Sequence, residues 1–291
     1  MENLNYYLEK AKESEYALGH FNFASAEQLR AIVLAFTKVH EEAKANGKDI
    51  ALMVGTSEGE ADFIGYRQAR KLVDSWVEET GLPIFLNTDH HKDYDLIKKA
   101  IDIGYDSILI DGSKLEFDQN VEITKKVIEY INQINPDGTV EGELGYLRGS
   151  SEVQDKIEIS SADFTKPEEA KEFVEETGVD RLAVAIGNIH GITTGQEMKL
   201  DIELLKKISD LVPETFIVLH GGSGLSDEDF KNAIMAGVTN IHINTEVRIA
   251  YREGIEEAFK TDTHTPYKFL GLALDKMEMV IERRLRLFSG L

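Results

Sequence analysis

Arg181-Leu182-Ala183-Val184-Ala185-Ile186-Gly187-Asn188 is apolar at five consecutive positions and then turns at once into glycine and a polar side chain. A strand with one wet face alternates apolar and polar residues, whereas a run apolar at every position suits a parallel strand covered on both faces. Ser107-Ile108-Leu109-Ile110, followed by Asp111-Gly112-Ser113, has the same form. Working outward from these two, strand-like runs are predicted at 17–22, 49–57, 83–90, 107–113, 139–147, 181–188, 215–220 and 240–246. Amphipathic, helix-like segments fall between them at 24–45, 62–79, 94–103, 118–134, 167–177, 201–212 and 227–236. Eight buried strands alternating with helices count out an α/β fold, the (β/α)8 TIM barrel, formed by residues 1–291 as one domain. The alternative, a doubly wound open sheet, lacks a glycine-rich fingerprint after the first strand.

Local signals agree with this count. Pro167 suits a first-turn position, and Ser226 with Asp227 can cap the following helix. Gly81, Gly104, Gly178 and Gly237 stand where left-handed C-caps are wanted. With only five prolines and no Ser/Gly-rich tract, no linker divides the chain. Residues 148–163 are too long and polar for a tight connection and read as an active-site loop. From about residue 247, the segments 247–259 and 267–288 read as C-terminal helices that pack on the barrel, an oligomer contact being the sharper alternative. Arg283, Arg284 and Arg286 lie near the end of the second.

The chain has 291 residues, with 32 Lys and Arg against 53 Asp and Glu, a formal net charge of −21. Such a balance repels nucleic acid and anionic membranes, so neither is an expected partner. The negative charge sits on outward helix faces, and an anionic ligand needs its own local site. No cysteine is present, which removes disulfides and thiolate ligands, so any zinc must use histidine and carboxylate. No apolar run approaches the roughly 18 residues of a membrane helix, and residues 1–14 are too polar for a signal peptide. A cytoplasmic location is expected.

In a barrel of this kind, polar residues at the C-terminal ends of strands build the site. Here those ends read His20-Phe21-Asn22, Gly55-Thr56-Ser57, Asp89-His90-His91, Asp111-Gly112-Ser113, Glu141-Gly142-Glu143, Asn188-Ile189-His190-Gly191, His220-Gly221-Gly222-Ser223-Gly224 and His242-Ile243-Asn244-Thr245-Glu246. Six of the eight histidines fall there, with His40 and His264 outside. Three neutral imidazoles around one cation with a fourth position open form a catalytic zinc arrangement, and nearby carboxylates serve as acid and base or hold a second cation. The stretch 220–224 offers unhindered backbone N–H groups and a hydroxyl before a helix start, which suits a phosphate. Asn244-Thr245 supplies the other half of that cradle. Backbone donors bind an anion without a basic surface.

Taken together, these motifs resemble the class II, zinc-dependent fructose-bisphosphate and tagatose-bisphosphate aldolases. The resemblance runs in order through Phe21-Asn22, Asp89-His90, Ile110-Asp111-Gly112-Ser113, Glu141-Gly142-Glu143-Leu144-Gly145, Ala185-Ile186-Gly187 leading to His190-Gly191, the 220–224 loop and Asn244-Thr245-Glu246. It extends to Leu287-Phe288-Ser289-Gly290 at the end of the chain. It implies that His90, His190 and His220 hold zinc, and that Asp111 and Glu143 match positions holding a second or alternate divalent metal. Asp89 matches the acid/base that takes the C4 hydroxyl proton in cleavage. Gly191, Gly221, Gly222, Ser223, Asn244 and Thr245 match the dihydroxyacetone-phosphate site, often with a monovalent cation (Na+ or K+) beside the phosphate. Asn22 and Ser57 join them as predicted substrate-binding residues. A lysine Schiff base is unnecessary, and no lysine is expected at a strand end.

Two departures stand out. The family's loop acid, which exchanges the C3 proton, aligns with a serine, and Glu152 one residue later is the candidate for its role. His242 replaces an asparagine that contacts the triose phosphate, and is carried as a substrate-binding residue. The expected reaction interconverts a ketose 1,6-bisphosphate with dihydroxyacetone phosphate and glyceraldehyde 3-phosphate, fructose bisphosphate first and tagatose bisphosphate second. Alternatives are an aldolase for another phosphorylated ketose, which His242 favours, or a metal- and phosphosugar-binding barrel with impaired catalysis, which the loop serine favours. The resemblance implies a homodimer or homotetramer. His91 is expected to be packed.

Overall fold

The computed structural model describes residues 2–196 and 198–291. Eight parallel strands close into a barrel: β1 (Leu18–Asn22), β2 (Leu52–Ser57), β3 (Ile84–His91), β4 (Ser107–Ile110), β5 (Thr139–Leu144), β7 (Arg181–Val184), β9 (Phe216–Leu219) and β10 (Val238–Ile243). Around the barrel their order is β1-β10-β9-β7-β5-β4-β3-β2. Two further strands, β6 (Gly149–Gln154) and β8 (His190–Thr193), pair with each other outside it. The predicted TIM barrel is therefore the observed fold.

The helices are α1 (Leu4–Glu13), α2 (Ala26–Ala45), α3 (Glu58–Ile64), α4 (Tyr66–Thr80), α5 (Tyr94–Ile103), α6 (Phe117–Ile134), α7 (Pro167–Thr177), α8 (Ile202–Leu211), α9 (Asp227–Met235), α10 (Thr245–Ala258) and α11 (Pro266–Ser289). Their apolar stripes pack on the barrel's outer face. In α2, for example, Leu29, Ile32, Val33, Phe36 and Val39 recur at helical spacing and are fully buried. Burying each such side chain stabilises the fold by about 1.5–3 kcal/mol. Pro167 stands in the first turn of α7, and the Ser226 hydroxyl accepts from Asp229 N–H at 3.1 Å while the Asp229 side chain answers back, a reciprocal cap on α9. Left-handed Gly81, Gly104 and Gly178 end α4, α5 and α7, whereas α9 is capped by Ala236 with Gly237 just beyond.

Three features differ from the sequence-based expectation. The helix predicted over 62–79 is two helices, broken at Gly65, whose φ of +89° is outside the helical region. Ahead of β1, α1 brings Leu4, Tyr7, Leu8 and Ala11 to one buried face. Finally, residues 148–163 are not a bare loop. Their first half is strand β6, and their second half ends in a 3-10 turn (Ser161–Asp163) anchored by a two-pronged ion pair from Arg148 to Asp163 at 2.7 and 2.8 Å. Parallel pairing of β6 with β8 forms a strap over the mouth, with Gly149 opposite His190 and Gln154 opposite Thr193. A bond from His190 N–H to the Arg148 carbonyl (2.8 Å) and one from Gln154 Nε2 to the His190 carbonyl tie the two strands together.

At the other end of the chain, α11 is packed against α2 and α10 as expected. Arg284, almost fully buried, grips Glu246 with two bonds of 2.9 and 2.7 Å, and Glu246 accepts the Gly224 N–H at 2.9 Å. The C-terminal helix thus holds the loop after β9 in place.

Candidate active site

The site begins with a break in β3. Pairing of β3 with β4 slips between Thr88 and His91, and His90 is left-handed at φ +47°. A side chain rarely tolerates that conformation outside a functional or strained position. Along a regular strand Asp89 and His90 would point to opposite faces; the bulge turns both into the mouth. His91 instead packs outward, its Nε2 2.9 Å from the Tyr66 hydroxyl.

Three imidazoles meet there. The His90 ring lies 4.6 Å from that of His190 and 4.5 Å from that of His220, centroid to centroid. His190 arrives on the strap strand β8. His220, the first residue after β9, places Nε2 2.7 Å from Glu141 Oε1, which fixes the tautomer and leaves Nδ1 as a donor of electrons. His90 Nδ1 lies 3.1 Å from Glu143 Oε2 and 3.5 Å from Asp111 Oδ2. Burial, with His90 and His220 as neighbours, pushes the His190 imidazole down to about 3, so that ring is neutral.

The residues fit a metal ion. His90, Glu143 and His190 offer ligand atoms within 4.8 Å of one another, as do Asp89, His90 and His220, so the two sets share His90. Glu143 Oε2 is buried and, beyond its 3.1 Å approach to His90 Nδ1, makes no well-aligned hydrogen bond among the described residues. A third group, His20, Asp89 and His242, does not suit one ion. The His20 and His242 rings are stacked 3.6 Å apart at 7°, and ring nitrogens bind in the plane of their own ring.

Asp89 is held from both sides. Its Oδ2 accepts from Asn22 Nδ2 at 2.8 Å, and its Oδ1 lies 3.2 Å from His242 Nδ1. Burial alone would push this carboxyl up; the His90 imidazole and the contact with His242 outweigh it and hold it well below its ordinary value. The other His242 nitrogen faces Asn240 Oδ1 at 3.1 Å, so both nitrogens of His242 are engaged inside the protein. His242 therefore supports Asp89 rather than presenting a free nitrogen to a ligand.

Two lobes open from the histidines. The smaller, about 30 Å³, is lined by Gly191, Gly221, Ser223, Asn244 and Thr245 together with Asn22, His220 and His242. Gly191 requires its φ of +85°, and a Cβ there would lie 2.2 Å from the Ser150 carbonyl of the strap. Gly222 packs behind the lobe and donates to the His242 carbonyl at 3.3 Å, while Gly224 N–H is taken by Glu246, so the loop's N–H groups are not all turned to a ligand. Nor does α9 lend its dipole, because its first turn carries Asp227, Glu228 and Asp229. At the start of α10 Asn244 makes no side-chain cap bond, Ser223 Oγ accepts the Glu246 N–H at 3.3 Å, and Glu246 itself lies in the first turn.

The larger lobe, about 220 Å³, is lined by Ser57, Asp111, Glu143, Tyr146, Ser150 and Ser151, and by the cations Lys92, Lys114 and Arg248. Lys92 corrects the expectation that no lysine stands at a strand end. It follows β3 directly, with Nζ 3.4 Å from Asp111 Oδ2. It is ion-paired and half exposed, not sunk in the apolar pocket that activates a lysine nucleophile. Arg248 was also not anticipated; it bonds Glu60 at 2.6 Å and the Ser151 carbonyl at 3.0 Å. Glu60 is a hub that also accepts from Asn22 (2.8 Å), Ser57 N–H (2.8 Å) and Asn244 (3.5 Å). Ser57 spends its own hydroxyl capping α3.

Glu152 does not reach either lobe. It is exposed, and with Val153, Ile249 and Arg252 it lines an adjoining cleft that shares Ser151, Thr245 and Arg248 with the lobes. Ser150 and Ser151 face the metal side instead.

Comparison with known proteins gives one consistent result. The family model described as fructose-bisphosphate aldolase class-II matches residues 2–290. A fructose-bisphosphate aldolase of Staphylococcus epidermidis is 33% identical over 286 residues, covering 96% of this chain and 94% of the relative. One of Staphylococcus aureus is 32% identical over 284 residues, with the same coverage of 96% and 94%. Among solved structures, the YdjI aldolase of Escherichia coli K12 superposes with a TM-score of 0.82 at 27% identity, covering 99% of this chain and 97% of that one. A putative fructose-1,6-biphosphate aldolase of Coccidioides immitis gives a TM-score of 0.85 at 25% identity, covering 99% and 96%.

Proposed function

Because the chain belongs to the class-II fructose-bisphosphate aldolase family, we propose that it is a zinc-dependent aldolase that cleaves and forms a ketose 1,6-bisphosphate, with fructose as the first choice of sugar and tagatose the second. The observation that carries the reading is the convergence of His90, His190 and His220 beside an ionised, doubly held Asp89. A zinc ion held by those histidines supplies Lewis-acid polarisation of the substrate ketone. Asp111 and Glu143 are the proposed holders of a second or alternate divalent ion, and Na+ or K+ the proposed neighbour of the phosphate.

The protein's own groups do the rest. Asp89 takes the proton of the C4 hydroxyl as the C3–C4 bond breaks, its electron pair passing to C3, and returns that proton in condensation. Asn22 and His242 hold the carboxylate for this transfer. The small lobe, lined by Gly191, Gly221, Ser223, Asn244 and Thr245, receives the phosphate of dihydroxyacetone phosphate. In the larger lobe, Lys92, Lys114 and Arg248 are the cationic groups that would meet the second phosphate, set beside the carboxylates Asp111 and Glu143. The alanine double variant of Lys92 and Lys114 should therefore raise KM for fructose 1,6-bisphosphate by roughly tenfold, in line with charge-assisted hydrogen bonds. KM for fructose 1-phosphate should stay within twofold. Equal effects on both sugars would remove the distal phosphate from this lobe.

Exchange of the C3 proton needs a further group. Glu152 follows the two serines at the mouth directly, in the part of β6 whose pairing with β8 is irregular between Gly149 and Val153. We propose that a local rearrangement of this stretch during turnover brings Glu152 to the mouth. Glu152→Ala should then slow C3 proton exchange by tenfold or more while substrate binding is unchanged; an unaltered exchange rate removes Glu152 from the reaction.

The outward position of Glu152 is also what favours a second reading, a metal- and phosphosugar-binding barrel with impaired catalysis. A full complement of zinc with no cleavage of any phosphorylated ketose would establish it. A cytoplasmic homodimer or homotetramer remains the proposed setting. Among the described residues no helix is long and apolar enough to cross a membrane.

A further inference from the structure

Beneath the histidines the barrel interior is polar, where branched apolar side chains normally fill it. Arg181, at the start of β7, is fully buried and reaches across the barrel. Its Nη1 lies 2.5 Å from Glu141 Oε2 and 3.4 Å from Asn240 Oδ1. Its Nη2 donates to Ser107 Oγ and, at 3.3 Å, to Asn87 Oδ1. One guanidinium thus touches β3, β4, β5 and β10. Glu141 is also fully buried, and its second oxygen is the one that faces His220 Nε2 at 2.7 Å. Replacing a buried ion pair by apolar side chains of similar volume is often neutral or stabilising, so stability is a poor explanation for retaining this one.

From this chain of contacts we infer that Arg181 is a positioning residue that acts through Glu141 to lock His220 as its Nε2–H tautomer, so that Nδ1 keeps its lone pair for a ligand. The inference rests on the metal-site reading for its purpose but not for its geometry. The Arg181 guanidinium lies against Oε2 of Glu141 as an ion pair without an aligned hydrogen bond, and its charge favours the orientation in which Oε1 meets His220. Asn87, Ser107 and Asn240 in turn pin the guanidinium, and all three are buried. Without Arg181, Glu141 would be an unpaired buried carboxylate free to turn, and His220 would lose the acceptor that selects its tautomer. Outer partners of metal-binding histidines typically change metal affinity 10- to 100-fold, although they never touch the metal.

The test uses the full chain carrying R181M together with E141L, because removing one partner alone risks the fold. With the metal stripped, nitrogen NMR of 15N-histidine protein should show His220 as a single Nε2–H tautomer in the wild type and as a mixture in the double variant. Zinc affinity, read by competition with a chromophoric chelator, should fall about 10- to 100-fold. R181K, which keeps the positive charge, should recover most of that loss. A double variant that retains the wild-type tautomer and zinc affinity, with only its melting temperature altered, would overturn the inference and leave the pair a packing element. If zinc binds neither protein, the metal-site reading fails, while the tautomer of His220 in R181K and in the double variant still decides the role of the Arg181–Glu141 pair.

Discussion

Asp89→Asn is expected to lower kcat for cleavage of the bisphosphate by about 10²- to 10⁴-fold, the range associated with loss of a positioned general base. The substitution keeps the shape of the side chain and still offers one oxygen to Asn22 or His242, which now hold the carboxylate at 2.8 and 3.2 Å. What it removes is the ability to take a proton from the C4 hydroxyl. KM should therefore stay within a few-fold, and the folded state should survive with a similar melting temperature. Steady-state kinetics beside a thermal melt separate these effects. A kcat within threefold of the wild type would show that another group accepts the proton.

The second large effect is expected for His190→Ala. His190 sits on β8, held by a backbone bond to the Arg148 carbonyl and by the Gln154 side chain. Removing its ring should leave the barrel and the strap in place. It removes one of the three imidazoles of the cluster, and a three-ligand zinc site has no spare ligand. Bound zinc per chain should drop from one to near zero after dialysis against a weak chelator, and cleavage should fall to background. His40→Ala, at a histidine remote from the mouth, is the control and should keep both. Retention of stoichiometric zinc by His190→Ala would exclude His190 from the metal set.

How far the sequence reaches can be judged from individual residues. Leu182–Ile186 and Ile108–Ile110 are apolar at every position because both faces of their strands are covered, and that burial is written in composition alone. The six strand-end histidines were legible for a related reason, since a parallel barrel brings all such ends to one face. The helix α1 also left a signal, because Leu4, Tyr7, Leu8 and Ala11 recur at helical spacing within a polar stretch. Strand β6 left none: Gly149-Ser150-Ser151-Glu152-Val153-Gln154 is mostly polar, and its pairing with β8 is a tertiary event. The bulge at His90 is equally silent, since a left-handed backbone at a histidine has no compositional mark. Glu60 reads locally as half of a helix cap with Ser57, and only the closed barrel brings it to Asn22, Asn244 and Arg248. Arg181 reads as a charge at a strand edge, yet the fold turns it inward across four strands. Charge and pattern along the chain thus locate the mouth, while the supports beneath it come from contacts between residues far apart in sequence.

If this barrel cleaves a ketose bisphosphate by means of a metal held by His90, His190 and His220, cleavage and bound metal must rise and fall together. Cleavage of fructose and tagatose 1,6-bisphosphates is followed on the same preparation before and after complete chelation, with bound metal counted at each stage. The account predicts cleavage of at least one of the two sugars at about one zinc per chain, loss of that cleavage in step with the metal, and its return on adding zinc. Cleavage that persists at full rate on metal-free protein would contradict it.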